Sequence, residues 1–144
     1  EWSTSVLGDA RVGWDWFSLQ LDDGRELMVF QLRLEDGSVD PISHGTLVDI
    51  DGTTSHLSLA DFTLEVLGTW RSRHGVTYPA GWRLGLPGKS LELQLEPLLA
   101  DQELDVTFRY WEGALGVTGT AGDQTIGARG YAELVGYDER TVDR

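Results

Sequence analysis

The sequence contains no cysteine, a single lysine and no long apolar run. Without cysteine, disulfide bonds and thiolate chemistry are excluded, and a metal site would need histidine and carboxylate ligands. No stretch approaches the roughly 18 apolar residues of a membrane-spanning helix, and no signal-peptide pattern opens the chain. Eleven basic residues stand against 24 acidic ones, which gives a net charge of -13. This balance argues against nucleic acid and anionic membrane surfaces as partners.

Histidine is also sparse, and its three copies lie far apart at His44, His56 and His74 without a ligand motif. No zinc signature, phosphate-binding loop, nucleophile elbow or Ser–His–Asp order is present. The sequence therefore predicts that no metal or organic cofactor is needed. The chain begins at Glu1 rather than at a methionine, so we expect further sequence upstream.

Tryptophan is abundant, with six copies in 144 residues, and most of the chain alternates between apolar and polar residues. Alternation with period two, broken by Asp-Gly turns, predicts antiparallel strands. Eight to ten short strands with one apolar face each predict a single-domain, all-β antiparallel barrel. The strands after the first hairpin are expected at 46–50, 62–70, 82–86, 91–95, 104–110, 115–120 and 126–135, with a helical turn at 98–103.

The clearest hairpin is "FSLQLDDGRELMVF", residues 17–30. If Asp23 and Gly24 form a two-residue turn, Phe17 faces Phe30 across the hairpin. That register places Trp14 opposite Arg33 as a cation–π pair. It also places one set of apolar residues on a single buried face, namely Phe17, Leu19, Leu21, Met28, Phe30, Leu32 and Leu34.

Two acidic residues are candidate proton donors. Asp15 shares the apolar face of its strand, where burial would raise its pKa and keep the acid neutral. The alternative is an Asp15 at the rim that accepts hydrogen bonds from a turn or an arginine. In "FRYWEGAL", residues 108–115, Tyr110 and Glu112 share the predicted inner face, so Glu112 is either a second buried acid or a strand-end residue. The row Arg129, Tyr131 and Glu133 is interpreted as a solvated ladder.

Seven segments resemble, in order, the C-terminal half of the carotenoid 1,2-hydratase (hydroxyneurosporene synthase) and AttH-like family, across about residues 1–137. They are "GWDWFSLQLDDGRELMVFQLR", "GTLVDIDG", "DFTLEVLGTWRS", "YPAGWRL", "PLLADQEL", "YWEGALGVTGT" and "GARGYAELVGY". The resemblance implies a bacterial, lipocalin-like barrel that is one of two such domains. It also implies a hydro-lyase that adds water to the terminal C=C bond of an acyclic carotenoid without a cofactor.

The opening "EW" resembles the end of the family's Asp-His-Glu-Trp stretch, whose histidine would precede Glu1. Trp2 and Asp15 therefore carry over from the family pattern. The chemistry needs an acid to protonate one alkene carbon and aromatic faces to stabilise the resulting tertiary carbocation. The catalytic candidates are Asp15 and Glu112, and the expected ligand-binding residues are Trp2, Trp14, Trp16, Phe17, Phe30, Trp70, Trp82, Tyr110 and Trp111.

Besides the hydratase, two other functions remain open. One is a non-catalytic barrel that binds an apolar, isoprenoid-like molecule, and the other is half of a site that a second lipocalin-like domain completes. A weaker alternative is a Trp-rich carbohydrate-binding module. The expected location is soluble or peripherally membrane-associated, and the sequence does not indicate the compartment.

Overall fold

The computed structural model describes residues 11–138, which form twelve β-strands and two 3-10 turns, at Leu59–Asp61 and Pro87–Lys89. The strands are β1 (Arg11–Leu21), β2 (Glu26–Leu34), β3 (His44–Val48), β4 (Thr54–Ser58), β5 (Thr63–Val66), β6 (Thr69–Arg71), β7 (Thr77–Pro79), β8 (Trp82–Leu86), β9 (Leu91–Pro97), β10 (Glu103–Asp105), β11 (Arg109–Ala121) and β12 (Gln124–Val135). The predicted all-β architecture is confirmed.

Ten strands form one antiparallel sheet in the order β4-β3-β2-β1-β12-β11-β9-β8-β5, with β10 attached to β11. Its two edge strands, β4 and β5, are consecutive in the chain and are joined by residues 59–62. Because four residues span at most about 14 Å, the edges must lie close together and the sheet must curl into a half-barrel. Strands β6 and β7 form a separate two-stranded sheet.

The interior of the half-barrel is filled by side chains. Strands β8 and β9 bury every apolar residue predicted to face inward: Trp82, Leu84, Leu86, Leu91, Leu93 and Leu95. The Phe17 ring meets Trp82 edge-on with ring centroids 5.2 Å apart, and Trp82 lies 6.5 Å from Trp111. Each such side chain contributes about 1.5–3 kcal/mol when it is fully buried.

The first hairpin has a three-residue loop rather than the predicted two-residue turn. The amide of Leu21 donates to the carbonyl of Arg25 at 2.9 Å, and Gly24 adopts a φ of 90°. Phe17 therefore pairs with Val29, not with Phe30. A slip of one residue turns every side chain to the other face of the sheet.

Two predictions fail because of this slip. The side chains of Leu27 and Val29 enter the core, whereas Met28 and Phe30 lie half-buried on the outer face. The predicted burial of Met28 and Phe30 together with Phe17 is wrong. The predicted pair of Trp14 and Arg33 is also wrong, since Arg33 lies opposite Gly13.

The segment 98–110 also differs from the prediction. Residues 98–102 form no helical turn, and the chain bends at 106–108 between β10 and β11. Val106 and Phe108 are 62% and 42% exposed, while Arg109 and Trp111 are buried. The inner face of β11 therefore contains Arg109 and Trp111, whereas the prediction placed Tyr110 and Glu112 there.

Candidate functional site

Strand β1 places Asp15 on the inner face of the sheet, two residues before Phe17. The aspartate is 5% exposed and lies at the end of the apolar interior, between Gln31 of β2 and Leu134 of β12. Arg33 reaches it from β2 across Gly13, where any larger side chain would overlap the Arg33 guanidinium. Glycine at position 13 is therefore what allows arginine and aspartate to meet.

Asp15, Arg33 and Tyr137 form a contact group that we call the Asp15 cluster. Arg33 makes an ion pair with Oδ1 of Asp15 and donates to the carbonyl of Val135 at 2.5 Å. The hydroxyl of Tyr137 lies 3.0 Å from both carboxyl oxygens. The Arg33 guanidinium also stacks 3.8 Å above the Tyr137 ring, so each member of the cluster holds the other two.

Burial dominates the electrostatics of the cluster. It raises the pKa of Asp15, and the Arg33 charge together with hydrogen bonds from Tyr137 and Arg33 offsets only part of that rise. Burial, followed by the neighbouring Asp15 carboxylate, also raises the pKa of Tyr137. Tyr137 therefore keeps its proton and donates, and since Arg33 engages Oδ1, Oδ2 is the oxygen best placed to hold a proton.

A second polar group lies beside the Asp15 cluster. The ring of Tyr78 is 5.6 Å from that of Tyr137, and its hydroxyl donates to Glu103 at 3.1 Å. His74 Nδ1 lies 2.5 Å from the other Glu103 oxygen. Burial favours a raised pKa for Glu103, but hydrogen bonds from His74, Ser72 and Tyr78 outweigh it, and the net pKa is lowered.

The structure divides the predicted site residues between two faces. Phe17, Trp82 and Trp111 lie on the inner side with Asp15, and Trp70 packs against the same core. Trp2 lies outside the described residues. The outer face contains the remaining predicted residues, namely Trp14, Trp16, Phe30, Tyr110 and Glu112.

Glu112 is not a buried acid. It faces Glu133 across the β11–β12 ladder on the half-exposed outer face, because Trp111 occupies the inner side. Burial and the Glu112 carboxylate raise the pKa of Tyr110 beside it. Trp14 donates its indole N–H to Glu133 at 2.7 Å, so this tryptophan belongs to the outer ladder and not to the surroundings of Asp15.

Sequence reasoning missed Arg33 and Tyr137. With a three-residue hairpin loop, Arg33 would have been assigned to the same face as Asp15, so the missing signal was the loop length. Tyr137 follows the last strand and has no alternation that could predict its direction.

Asp15 is 5% exposed within residues 11–138. Three surface pockets of about 230, 360 and 310 Å³ are lined by other residues. Within residues 11–138, no group of histidine and carboxylate side chains is arranged to hold a metal ion. Among the described residues, no helix is long and apolar enough to cross a membrane. The described residues therefore leave a substrate little direct access to Asp15.

A curled antiparallel half-barrel with an acid at one end of an apolar interior defines a lipocalin-like class of protein. The AttH-like family matches residues 1–137, and the chain belongs to this family. A protein from Nitrosomonas europaea assigned to AttH is 39% identical, with a TM-score of 0.81, over 94% of this chain and 42% of that one.

Kievitone hydratase from Nectria haematococca shares the fold. It is 24% identical, with a TM-score of 0.70, over 87% of this chain and 39% of the hydratase. No curated protein matches the sequence. The chain thus spans about two fifths of the length of each of these two solved structures.

Proposed function

We propose that this chain is the acid-bearing half of a two-domain, cofactor-independent hydratase that acts on an alkene of an acyclic, isoprenoid-like molecule. The observation that carries the proposal is the burial of Asp15 at an apolar end of the half-barrel, with a raised pKa. A carboxylic acid that keeps its proton in such a place is suited to general acid catalysis.

In the proposed reaction, Asp15 transfers the proton on Oδ2 to one alkene carbon, and the neighbouring carbon becomes a tertiary cation. Water adds to the cation and returns a proton to the Asp15 carboxylate, so the acid is regenerated. While Asp15 is ionised, Arg33 supplies a positive charge and Tyr137 donates a hydrogen bond to it. Phe17 and Trp111 are the inner-face aromatic residues nearest along the sheet for stabilising a cation.

The two-domain part of the proposal is supported by length, since both solved relatives are more than twice as long as this chain. Kievitone hydratase also bears the name of a hydratase, which favours water addition over other chemistries. A carrier that encloses its ligand is less well supported, because core side chains fill the interior, whereas the proposed hydration needs the substrate only at the Asp15 end. Trp82 and Trp111 are buried and cannot belong to a flat carbohydrate platform, and Trp14 and Trp16 on the outer face are only half-exposed.

The test is alkene hydration in D₂O with an acyclic terpenoid, followed by mass spectrometry, using this chain and the proposed two-domain protein. Asp15→Asn keeps the shape but cannot donate a carboxylic proton, so hydration should fall by about 10²–10⁴-fold. Asp40→Asn is the matched control, because Asp40 is also buried and pairs with Arg11 at 2.7 Å. Hydration that survives in Asp15→Asn, or is absent from both unsubstituted proteins, contradicts the proposal.

A further inference from the structure

Strands β6 and β7 form a hairpin that, within residues 11–138, pairs with no strand of the main sheet. It continues the register of the β5–β8 ladder past one glycine on each strand, with Gly68 opposite Ala80 and Gly81 opposite Leu67. Leu67 donates to the carbonyl of Gly81, and Ala80 donates to the carbonyl of Gly68, each at 2.8 Å. Gly81 has a φ of 150°, a backbone conformation that other residues rarely adopt.

Side-chain contacts hold this hairpin against the barrel end. Tyr78 is 1% exposed and lies between Trp70, at 6.2 Å, and Tyr137, at 5.6 Å between ring centroids. Tyr137 in turn contacts both oxygens of Asp15. The hairpin therefore covers the Asp15 cluster through Tyr78.

A polar contact fastens the tip of the hairpin. His74, in the turn between β6 and β7, contacts Glu103 of β10 at 2.5 Å and lies 3.6 Å from Asp105. Arg109 of β11 forms an ion pair with Asp105 of β10 at 3.0 Å and a second one with Asp138 at 2.9 Å. The His74 side chain is 27% exposed, so the contact lies at the surface end of a buried network.

Space is available beside the two glycines. A pocket of about 360 Å³ lies there, and its lining includes Leu67, Gly68, Ala80, Gly81, Pro97 and Ala100. The pocket leaves room at this bend, although movement of the hairpin must also withdraw Val76 and Tyr78 from the core.

We propose that the β6–β7 hairpin is a hinged cover over the Asp15 cluster, with Gly68 and Gly81 as its hinge and the contact of His74 with Glu103 as its latch. The assignment of a cover rests on the proposed function, because it gives the substrate a route to a buried acid. Opening separates Tyr78 from Tyr137 and exposes the Asp15 end of the barrel while the main sheet stays intact.

Amide hydrogen exchange of the chain without substrate tests the cover. The Ala80 amide, which donates to Gly68 at 2.8 Å at the hinge, reports opening, and the β1–β12 ladder reports global unfolding. In His74→Ala, Ala80 should exchange about tenfold faster, which corresponds to about 1.4 kcal/mol, with the ladder unchanged. His56→Ala is the matched control, since His56 lies on edge strand β4, and it should change neither rate.

Gly68→Ala provides an independent test of the hinge. A Cβ at this position would lie 3.7 Å from the Ala80 carbonyl oxygen, so alanine fits and only restricts the backbone. Ala80 exchange should slow by about twofold to fivefold. The cover is overturned if Ala80 exchanges only together with the ladder, if His74→Ala matches His56→Ala, or if Gly68→Ala has no effect. Because exchange needs no catalysis, a failed hydration assay would leave this result standing, and the reverse also holds.

Discussion

Replacement of Phe17 by alanine is expected to lower the free energy of unfolding by about 3–5 kcal/mol. The ring is fully buried and packs edge-on against Trp82, so its removal leaves a cavity in a core that cannot easily collapse. Denaturant unfolding monitored by far-UV circular dichroism measures the loss.

Phe30→Ala is the matched control, because Phe30 lies on the half-exposed outer face beside His44, with ring centroids 5.7 Å apart. Its loss should be about 1 kcal/mol. Equal losses for the two variants, or a larger loss for Phe30→Ala, would mean that the hairpin has the two-residue turn after all.

Replacement of Arg33 by methionine is expected to destabilise the fold by about 3 kcal/mol at pH values well above the Asp15 midpoint, because Asp15 is then a buried carboxylate without its cation. Without Arg33, the pKa of Asp15 should rise further above its unfolded value of about 3.9. A raised folded-state pKa means that stability is retained below the unfolded pKa and lost as pH rises through the folded one. The deficit of Arg33→Met should therefore shrink as pH falls toward 4.

The double variant Asp15→Asn, Arg33→Met completes this cycle. It removes both charges and should recover most of the stability that Arg33→Met loses above the Asp15 midpoint. A deficit that is independent of pH, or that the double variant does not relieve, would show that Arg33 acts through packing on Tyr137 rather than through Asp15.

The strand predictions were most accurate where the turn residues and the alternation of apolar residues indicate the same register. In β8 and β9, six apolar residues alternate on both sides of Pro87 and Gly88, and all six are buried as predicted. The first hairpin shows the limit, since an Asp-Gly pair occurs in both two-residue and three-residue loops. A two-residue type I′ turn needs a positive φ at both Asp23 and Gly24, whereas here only Gly24 has one. That difference decided the faces of Phe30 and Arg33.

Predictions about the candidate site also succeeded where they depended on alternation within one strand and failed elsewhere. The inward direction of Asp15 follows from the alternation of Phe17 and Leu19 within β1 alone, so an error in the partner strand did not affect it. The direction of Glu112 was extrapolated through residues 106–108, where the chain bends and the alternation is interrupted. The contact of Arg33 with Asp15 depends on the register of the first hairpin. The contact of Tyr137 with Asp15 depends on a segment without alternation, so no local sequence pattern predicts either contact.

The most direct measurement is the carboxyl titration of Asp15 by ¹³C nuclear magnetic resonance, with its signal assigned by comparison with Asp15→Asn. Asp40 serves as the internal control, because hydrogen bonds from the Ile42 amide and from Arg11 lower its pKa. The account predicts an Asp15 midpoint above the ordinary value of about 3.9 and an Asp40 midpoint below it. An Asp15 midpoint at or below that of Asp40 would show that Arg33 keeps the carboxylate ionised, and Asp15 would then be a structural ion pair rather than a proton donor.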